Sequence, residues 1–534
     1  MKNLFLLFFG LIVLCFCGQG FRGQVTAEES KPNVLLIVVD DMGYSDLGCF
    51  GGEIETPNID SLAQNGLRFT QFYNTSRCWP TRTGLMTGYY PQQVRSDPVV
   101  TDSRLPQGTK LVPHYLKPLG YRCYHSGKWH VPGAPLPCQD GGFDRSYELL
   151  DPDRNFYPKG HRLNDQPLPP VNPGDDYYTT TFIAEKTMEQ LREHAEKTPD
   201  APFFAFTAFT SPHFPLHAPQ EVIDKYRDKY LEGWDKIREE RFARLTDAGI
   251  VHTTLSPREE NVGPPYRADN LAPLGPGEVL RPVAWDSMTE EQKRFQATKM
   301  AIHAAMVDCI DQQTGRIITE LKRLGMFENT VIFIFSDNGC SAEIMIRGDG
   351  HDPEALPGSG KSFLCLGPGW STASNTPFRR HKVWTLEGGI STSLVVHWPQ
   401  GIAENARNGL RHDMGHIVDI LPTILALTGA SGDNESGCPL AGESLLPAIS
   451  GAGKAPRGDI YFHHDGNRAI RSGDFKAVST AANRQGDGIW RLFDLSTDRS
   501  EQHDLSEQMP EKLAELSQNW EKMTQQFQKD ATRP

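Results

Sequence analysis

Three uninterrupted apolar runs, each broken at once by polar residues, constrain this chain more than any other feature. Asn33 to Val39 reads NVLLIVV and gives way to Asp40 and Asp41. Val331 to Phe335 (VIFIF) gives way to Ser336, Asp337 and Asn338, and Phe203 to Phe209 (FFAFTAF) to Thr210, Ser211, Pro212 and His213. A strand with one wet face alternates in polarity. A run without alternation, rich in β-branched and aromatic residues, fits a strand buried on both faces of a parallel sheet. Helical periodicity over Thr181 to Glu196, Lys299 to Leu324 and His416 to Leu427 places helices between and after such strands, so the expected fold is α/β. Ligands of open α/β sheets bind beyond the carboxyl ends of the strands, where these polar clusters fall.

A chain of 534 residues exceeds the roughly 100–200 residues of one ordinary domain. After Pro456 the pattern changes to short strand-like pieces, Ala469 to Val478 and Trp490 to Leu495, then an amphipathic helix from Pro510 to about Gln528. The expected division is a leader at 1–24, a main α/β domain at 25–455 and a small α+β domain at 456–534. The leader is read from Lys2 followed by the apolar run Leu4 to Cys17 and a small or polar stretch to Ala27. That run is shorter than the about 20 apolar residues of a membrane span, so a cleaved signal peptide and a secreted or periplasmic protein are expected. Phe16 is too bulky for the small position that precedes a lipidated cysteine.

Cys49, Cys78, Cys123, Cys138, Cys309, Cys340, Cys365 and Cys438 remain after the leader, and none has zinc-like CxxC or Cys/His spacing. Some could pair in an oxidising compartment. The net charge of −13, two units more negative once Lys2 and Arg22 leave, argues against a nucleic-acid partner. It also disfavours a long basic groove, so an anionic substrate has to be captured by a few local cations. Two stretches, Tyr226 to Glu291 and Ala342 to Thr376, are charged and Pro-rich or rich in Gly, Ser and Pro. They read as surface insertions that border a site.

The most informative segment is Cys78-Trp79-Pro80-Thr81-Arg82-Thr83-Gly84-Leu85-Met86-Thr87-Gly88. Pro80 favours a first helical turn and Gly88 a helix end, which puts Cys78 at a helix N-terminus with Arg82 one turn on and on the same face. Backbone N–H groups, the helix dipole and a guanidinium together make an anion site. The segment resembles the sulfatase signature, Cys-x-Pro-Ser-Arg followed by Thr-Gly, with Thr81 in place of Ser and Met86 in place of Leu. Gly120 to His130 (GYRCYHSGKWH) is similar to the second sulfatase signature, ending in Gly-Lys-Trp-His. Cys123 reads there as a packing variant and His125 as structural. Asp40 with Asp41, Asp337 with Asn338, His213 in Ser-Pro-His-Phe-Pro, and Lys382 before Glu387-Gly388-Gly389 complete the likeness, from about Pro32 to the C-terminus.

The resemblance implies an alkaline phosphatase-like fold, a large mixed, mostly parallel sheet between helices. It implies that Cys78 becomes formylglycine (3-oxoalanine) through a formylglycine-generating enzyme. It also implies one Ca2+ per subunit, bound by Asp40, Asp41, Asp337, Asn338 and the modified residue 78. Three carboxylates and an amide oxygen are a hard set that suits calcium or magnesium. Arg82, Lys128 and Lys382 then neutralise the sulfate, one hydroxyl of the residue-78 hydrate attacks sulfur, and the other expels sulfate. His213 with Lys382 would protonate the leaving oxygen, and His130 would take the proton that drives release. The expected substrate is an aryl or carbohydrate sulfate monoester. The alternatives are a phosphonate-monoester or phosphodiester hydrolase of the same superfamily and a non-catalytic secreted binding protein on this fold. His217, His351, His463 and His464 could line a pocket but read as structural.

Overall fold

The computed structural model describes residues 31–98, 104–266, 269–433 and 437–533; the expected leader lies outside them. The main sheet has ten strands: β1 (Asn33–Asp40), β2 (Leu67–Tyr73), β3 (Arg122–Gly127), β4 (Arg145–Leu149), β5 (His161–Leu163), β6 (Gln166–Pro167), β7 (Phe203–Pro212), β8 (Thr330–Ser336), β9 (Ser391–His397) and β10 (Gly409–His416). Their order is β10-β2-β9-β8-β1-β7-β3-β4-β5-β6. The central block β8, β1, β7, β3 and β4 is parallel, whereas β9 runs antiparallel to both β8 and β2. The sheet is therefore mixed and mostly parallel at its centre, as the apolar runs and the resemblance imply.

The alternation hidden in β1 shows why no polar face was needed. Leu35, Ile37 and Val39 enter one apolar core, and Val34, Leu36 and Val38 enter the other. All six are fully buried, each contributing about 1.5–3 kcal/mol by leaving water. One core packs under the helices Thr179–Lys197 and Glu290–Arg323, the other under Ile420–Thr428 and the C-terminal helix Pro510–Ala531. The helix Glu290–Arg323 starts nine residues before its apolar periodicity does, because Thr289 and Gln292 form a capping box that nucleates a polar first turn.

A second sheet of four antiparallel strands, β11 (Ile460–His464), β12 (Asn467–Ser472), β13 (Phe475–Ser479) and β14 (Trp490–Asp494), precedes the last helix. The single strand-like piece expected over Ala469 to Val478 is a hairpin turning at Gly473, and β11 was not anticipated. Residues 31–534 nevertheless form one compact unit. The two sheets are joined through buried charge. Glu387 accepts hydrogen bonds from Tyr73, Ser391, Lys476 and Arg499, at 2.9, 2.8, 3.0 and 3.1 Å, and is wholly buried.

The two stretches expected as surface insertions need correction. The first contains the helix Gly233–Asp247, whose Trp234 and Arg241 are buried, and the second the buried helix Gly367–Ser374. Trp234, Trp285 and Trp370 pack edge to face. Arg241 can be buried because Asp46 and Glu53 ion-pair with it at 2.7 Å each. A charged composition thus disguised a core element whose charges are neutralised from a distant segment.

Candidate active site

Strand register assembles the site. Asp337 N–H donates to the Val39 carbonyl at 3.0 Å and Lys128 N–H to the Ala208 carbonyl at 2.9 Å, so the ends of β1, β8, β3 and β7 arrive side by side. Asp40 pairs with Pro212, one residue before His213, across a bulge in the β1–β7 ladder. Two close approaches demand glycine. A Cβ on Gly127 would lie 1.9 Å from the Ala208 carbonyl oxygen, at a φ of +115°, and one on Gly339 would lie 1.9 Å from that of Gly388. The second contact draws in the loop carrying Lys382, whose N–H donates to Cys340 O at 3.1 Å. Asp41 itself is left-handed (φ 67°), a backbone strain of the kind found at functional sites.

Cys78 opens the helix Cys78–Thr87, which ends at Gly88 in the left-handed conformation, as its sequence suggests. Arg82, with no exposure at all, donates from Nε to Asp337 Oδ2 at 2.8 Å and from one terminal nitrogen to the Lys128 carbonyl at 2.8 Å. Lys128 Nζ lies 2.5 Å from Asp40 Oδ2. Lys382 Nζ lies 2.9 Å from Asp41 and 3.2 Å from Glu343. Asn338 Nδ2 donates to Asp41 Oδ1 at 2.6 Å. His213 Nδ1 meets its neighbour's carbonyl, Phe214 O, at 2.5 Å, which leaves Nε2 facing Asp41 Oδ2 at 3.7 Å. His130 stands at the exposed edge beside Trp79, with ring centroids 6.0 Å apart.

The electrostatics follow from burying many charges together. Burial favours a neutral Asp40, but Lys128 and then His213, Arg82 and Lys382 hold its carboxyl well below the usual range. Asp337 is pushed up to about 7 by burial and by the neighbouring Asp40 charge. Burial raises the Cys78 thiol despite Lys128 and Lys382 nearby. Burial and the Lys382 charge lower His213, whereas Asp41 and Glu343 outweigh burial at Lys382 and keep it protonated.

Among the described residues, Asp40 Oδ1, Asp337 Oδ1 and Asn338 Oδ1 are buried without a hydrogen-bond partner. Buried acceptors of this kind are rare in folded proteins, and a hard cation would satisfy all three. Ligand atoms of Asp40, Asp41 and His213 lie within 4.8 Å of one another. The oxygen donors expected from sequence therefore fit a calcium-type ion. The structure brings all the expected site residues to one end of the sheet.

Residues 32–430 match the sulfatase family model. The chain belongs to the sulfatase family. An uncharacterized sulfatase of Schizosaccharomyces pombe is 32% identical over 564 residues, covering 92% of this chain and 93% of that protein. An arylsulfatase of Klebsiella aerogenes is 30% identical over 466 residues, covering 80% and 92%. Among solved structures, BT4656 in complex with its substrate D-glucosamine-2-N,6-O-disulfate superposes with a TM-score of 0.62 at 19% identity, covering 94% of this chain and 99% of that one. This sulfatase is a sulfuric ester hydrolase.

Sequence reasoning missed several neighbours of the site. Glu343 pairs with Lys382 and lies 3.7 Å from Arg77. Its signal was a lone acid inside the apolar stretch CSAEIMI. Arg77, Asp465 and the insertion's Tyr266 gather beside Trp79. His464, expected to be structural, packs against Trp79 with centroids 5.4 Å apart and contacts Asp97 at 3.0 Å. His125 sits among Trp129, Phe143 and Phe206, and His217 contacts Ser362 O at 2.6 Å, both within the protein interior. Cys49, Cys78, Cys123, Cys138, Cys309, Cys340 and Cys365 are free thiols. No helix among the described residues is long and apolar enough to cross a membrane.

Proposed function

We propose that this sulfatase hydrolyses aryl or carbohydrate sulfate monoesters through a formylglycine made from Cys78, with calcium held by Asp40, Asp41, Asp337 and Asn338. The observation that carries the reading is the meeting of three partnerless buried oxygens with Arg82, Lys128 and Lys382 around the first residue of a helix. A sulfate monoester repels nucleophiles, and such a cluster neutralises its oxygens where water is excluded. Calcium, when bound, adds positive charge against the sulfate and orients residue 78. Formylglycine, once formed at position 78, would supply the attacking hydroxyl and a second hydroxyl for the release of sulfate.

The remaining roles belong to side chains. Lys128 lies against Asp40 and Arg82 against Asp337, so each cation is fixed before substrate arrives and reorganises little. Lys382 holds a proton at Nζ, and together with His213 Nε2 it serves the oxygen of the departing alcohol. His130, at the exposed edge with the Lys128 and Arg82 charges near it disfavouring a second positive charge, accepts the proton when sulfate is released. The apolar run Leu4 to Cys17 supports export to the periplasm or exterior, with modification of Cys78 by a formylglycine-generating enzyme during maturation.

Replacing Cys78 with Ala is expected to abolish sulfate release from 4-nitrophenyl sulfate while the circular dichroism spectrum is retained. Normal turnover by that variant would reject the nucleophile. Faster hydrolysis of a nitrophenyl phosphate diester than of the sulfate by the parent enzyme would reject the reaction class.

A further inference from the structure

A stack of rings and guanidinium groups rises from the residue next to Cys78. The Arg77 guanidinium lies 4.5 Å from the Trp79 ring centroid and 4.8 Å from that of Tyr266, and Arg484 lies 4.7 Å from Tyr266. The members come from three parts of the chain: the signature helix, the stretch from Tyr226 to Glu291, and the C-terminal region after the hairpin β11–β12. That hairpin turns through Asp465 and Gly466, both at positive φ (54° and 82°), the conformation of a two-residue Asp-Gly turn. Its tip places Asp465 against the stack, where the carboxylate accepts from Tyr266 Oη and Arg484, each at 2.8 Å.

Arg77 is held but not used. Its carboxylate neighbours, Glu343 and Asp465, stand at 3.7 and 4.0 Å, beyond hydrogen-bond reach, and its Nε is buried with no partner. The Trp79 and His464 ring nitrogens, Nε1 and Nε2, are likewise buried without hydrogen bonds. The Arg77 side chain is still 17% exposed and Asp465 34%, so the wall offers a guanidinium not committed to either carboxylate on one side and the Asp465 carboxylate on the other. Its charges balance, Arg77 and Arg484 against Glu343 and Asp465. Glu343 also touches Lys382, so the wall begins where the leaving alcohol must lie.

We propose that Arg77 is a specificity-determining residue that binds hydroxyl groups of a saccharide-type leaving group, with Asp465 as the accepting partner. The inference rests on the sulfatase reading above and deepens it. An unsubstituted aryl group would cover the exposed part of the Arg77 guanidinium without giving it an acceptor, at a cost of the kind that makes hydrogen-bonding sites discriminate strongly. A densely sulfated polymer would meet two carboxylates on a protein of net charge −13. A neutral polyhydroxylated ring meets donors, an acceptor and flat faces.

The test compares full-length, calcium-loaded enzyme with its Arg77→Met and Asp465→Asn variants on the 6-sulfates of galactose, glucose and N-acetylglucosamine and on 4-nitrophenyl sulfate. Rates are normalised to the fraction of residue 78 carrying the aldehyde, measured by peptide mass, since Arg77 adjoins the modified residue. The expected result is that kcat/KM for the preferred sugar sulfate, relative to that for the nitrophenyl ester, falls about tenfold or more in Arg77→Met. A fall in the same direction is expected in Asp465→Asn. Equal losses on both kinds of ester, or a parent enzyme that cleaves the nitrophenyl ester and none of the sugars, would overturn the proposal. A fully modified parent inactive on every sulfate would instead overturn the sulfatase reading, and the present proposal with it.

Discussion

Adding calcium to chelator-stripped protein should raise its thermal midpoint, and the size of the rise can be worked out. Asp40 Oδ1, Asp337 Oδ1 and Asn338 Oδ1 have no hydrogen-bond partner, so an ion that engages them binds the folded chain and not the unfolded one. At about a hundredfold excess over the dissociation constant such a ligand stabilises by about 2.7 kcal/mol, and at a thousandfold by about 4.1 kcal/mol. Unfolding entropy of about 2.1 cal/mol/K per residue, over the roughly 500 residues of the compact unit, amounts to about 1 kcal/mol per degree. The midpoint should therefore climb by about 2–3 °C at the lower concentration and about 4 °C at the higher. Scanning calorimetry of the unmodified protein suffices, with magnesium as the comparison ion. Asp337→Asn keeps an acceptor for Arg82 but removes one negative charge, and at the same calcium concentration its shift should drop below about 1 °C. A parent protein indifferent to calcium, or a variant with an undiminished shift, would refute the assignment of these oxygens as ligands.

Two further substitutions probe the charges. Lys128→Ala removes the 2.5 Å partner of Asp40 and a cation from the site, and kcat for 4-nitrophenyl sulfate should fall by about 10²- to 10³-fold; a loss below tenfold would contradict the role. Glu387→Gln strips the compensating charge from buried Lys476 and Arg499 and should cost about 3–5 kcal/mol at pH 7, read as a midpoint about 3–5 °C lower. Glu387 is held at about 2 in the fold by Lys476, Arg499 and Arg471 in spite of burial, below its ordinary 4.5. A depressed carboxylate stabilises above its unfolded pKa and loses that contribution as pH falls toward the folded one. The gap between parent and variant should thus close between about pH 4.5 and pH 2, and a gap that persists at pH 2 would show that charge is not its origin.

The parts of this molecule that could be read from sequence are those specified by neighbours along the chain. β1, β7 and β8 announce themselves because a strand buried on both faces needs apolar residues at every position, and the polar residues after them mark the working end of the sheet. The antiparallel β9, STSLVVH, carries no such signal: its first residues are polar yet buried, with Ser391 bonded to Glu387. Asp40, Cys78, Lys128, Asp337 and Lys382 were found through motifs. Glu343, Arg77 and Asp465 were not, since an ion pair between residues hundreds of positions apart has no spacing to detect. The buried Arg241 and Trp234 escaped because the counter-charges Asp46 and Glu53 and the ring partner Trp370 lie in other segments.

The Asp-Gly tip between β11 and β12 sets a schedule for synthesis. The proposed nucleophile and the oxygens proposed for the metal are all made by residue 382, yet the wall beside them lacks its second carboxylate, Asp465, until that residue has emerged and its hairpin has docked. A nascent or proteolysed chain ending before that turn can carry every reacting group and still present an unfinished cleft, so loss of the tail would read out as altered substrate choice as well as lost stability.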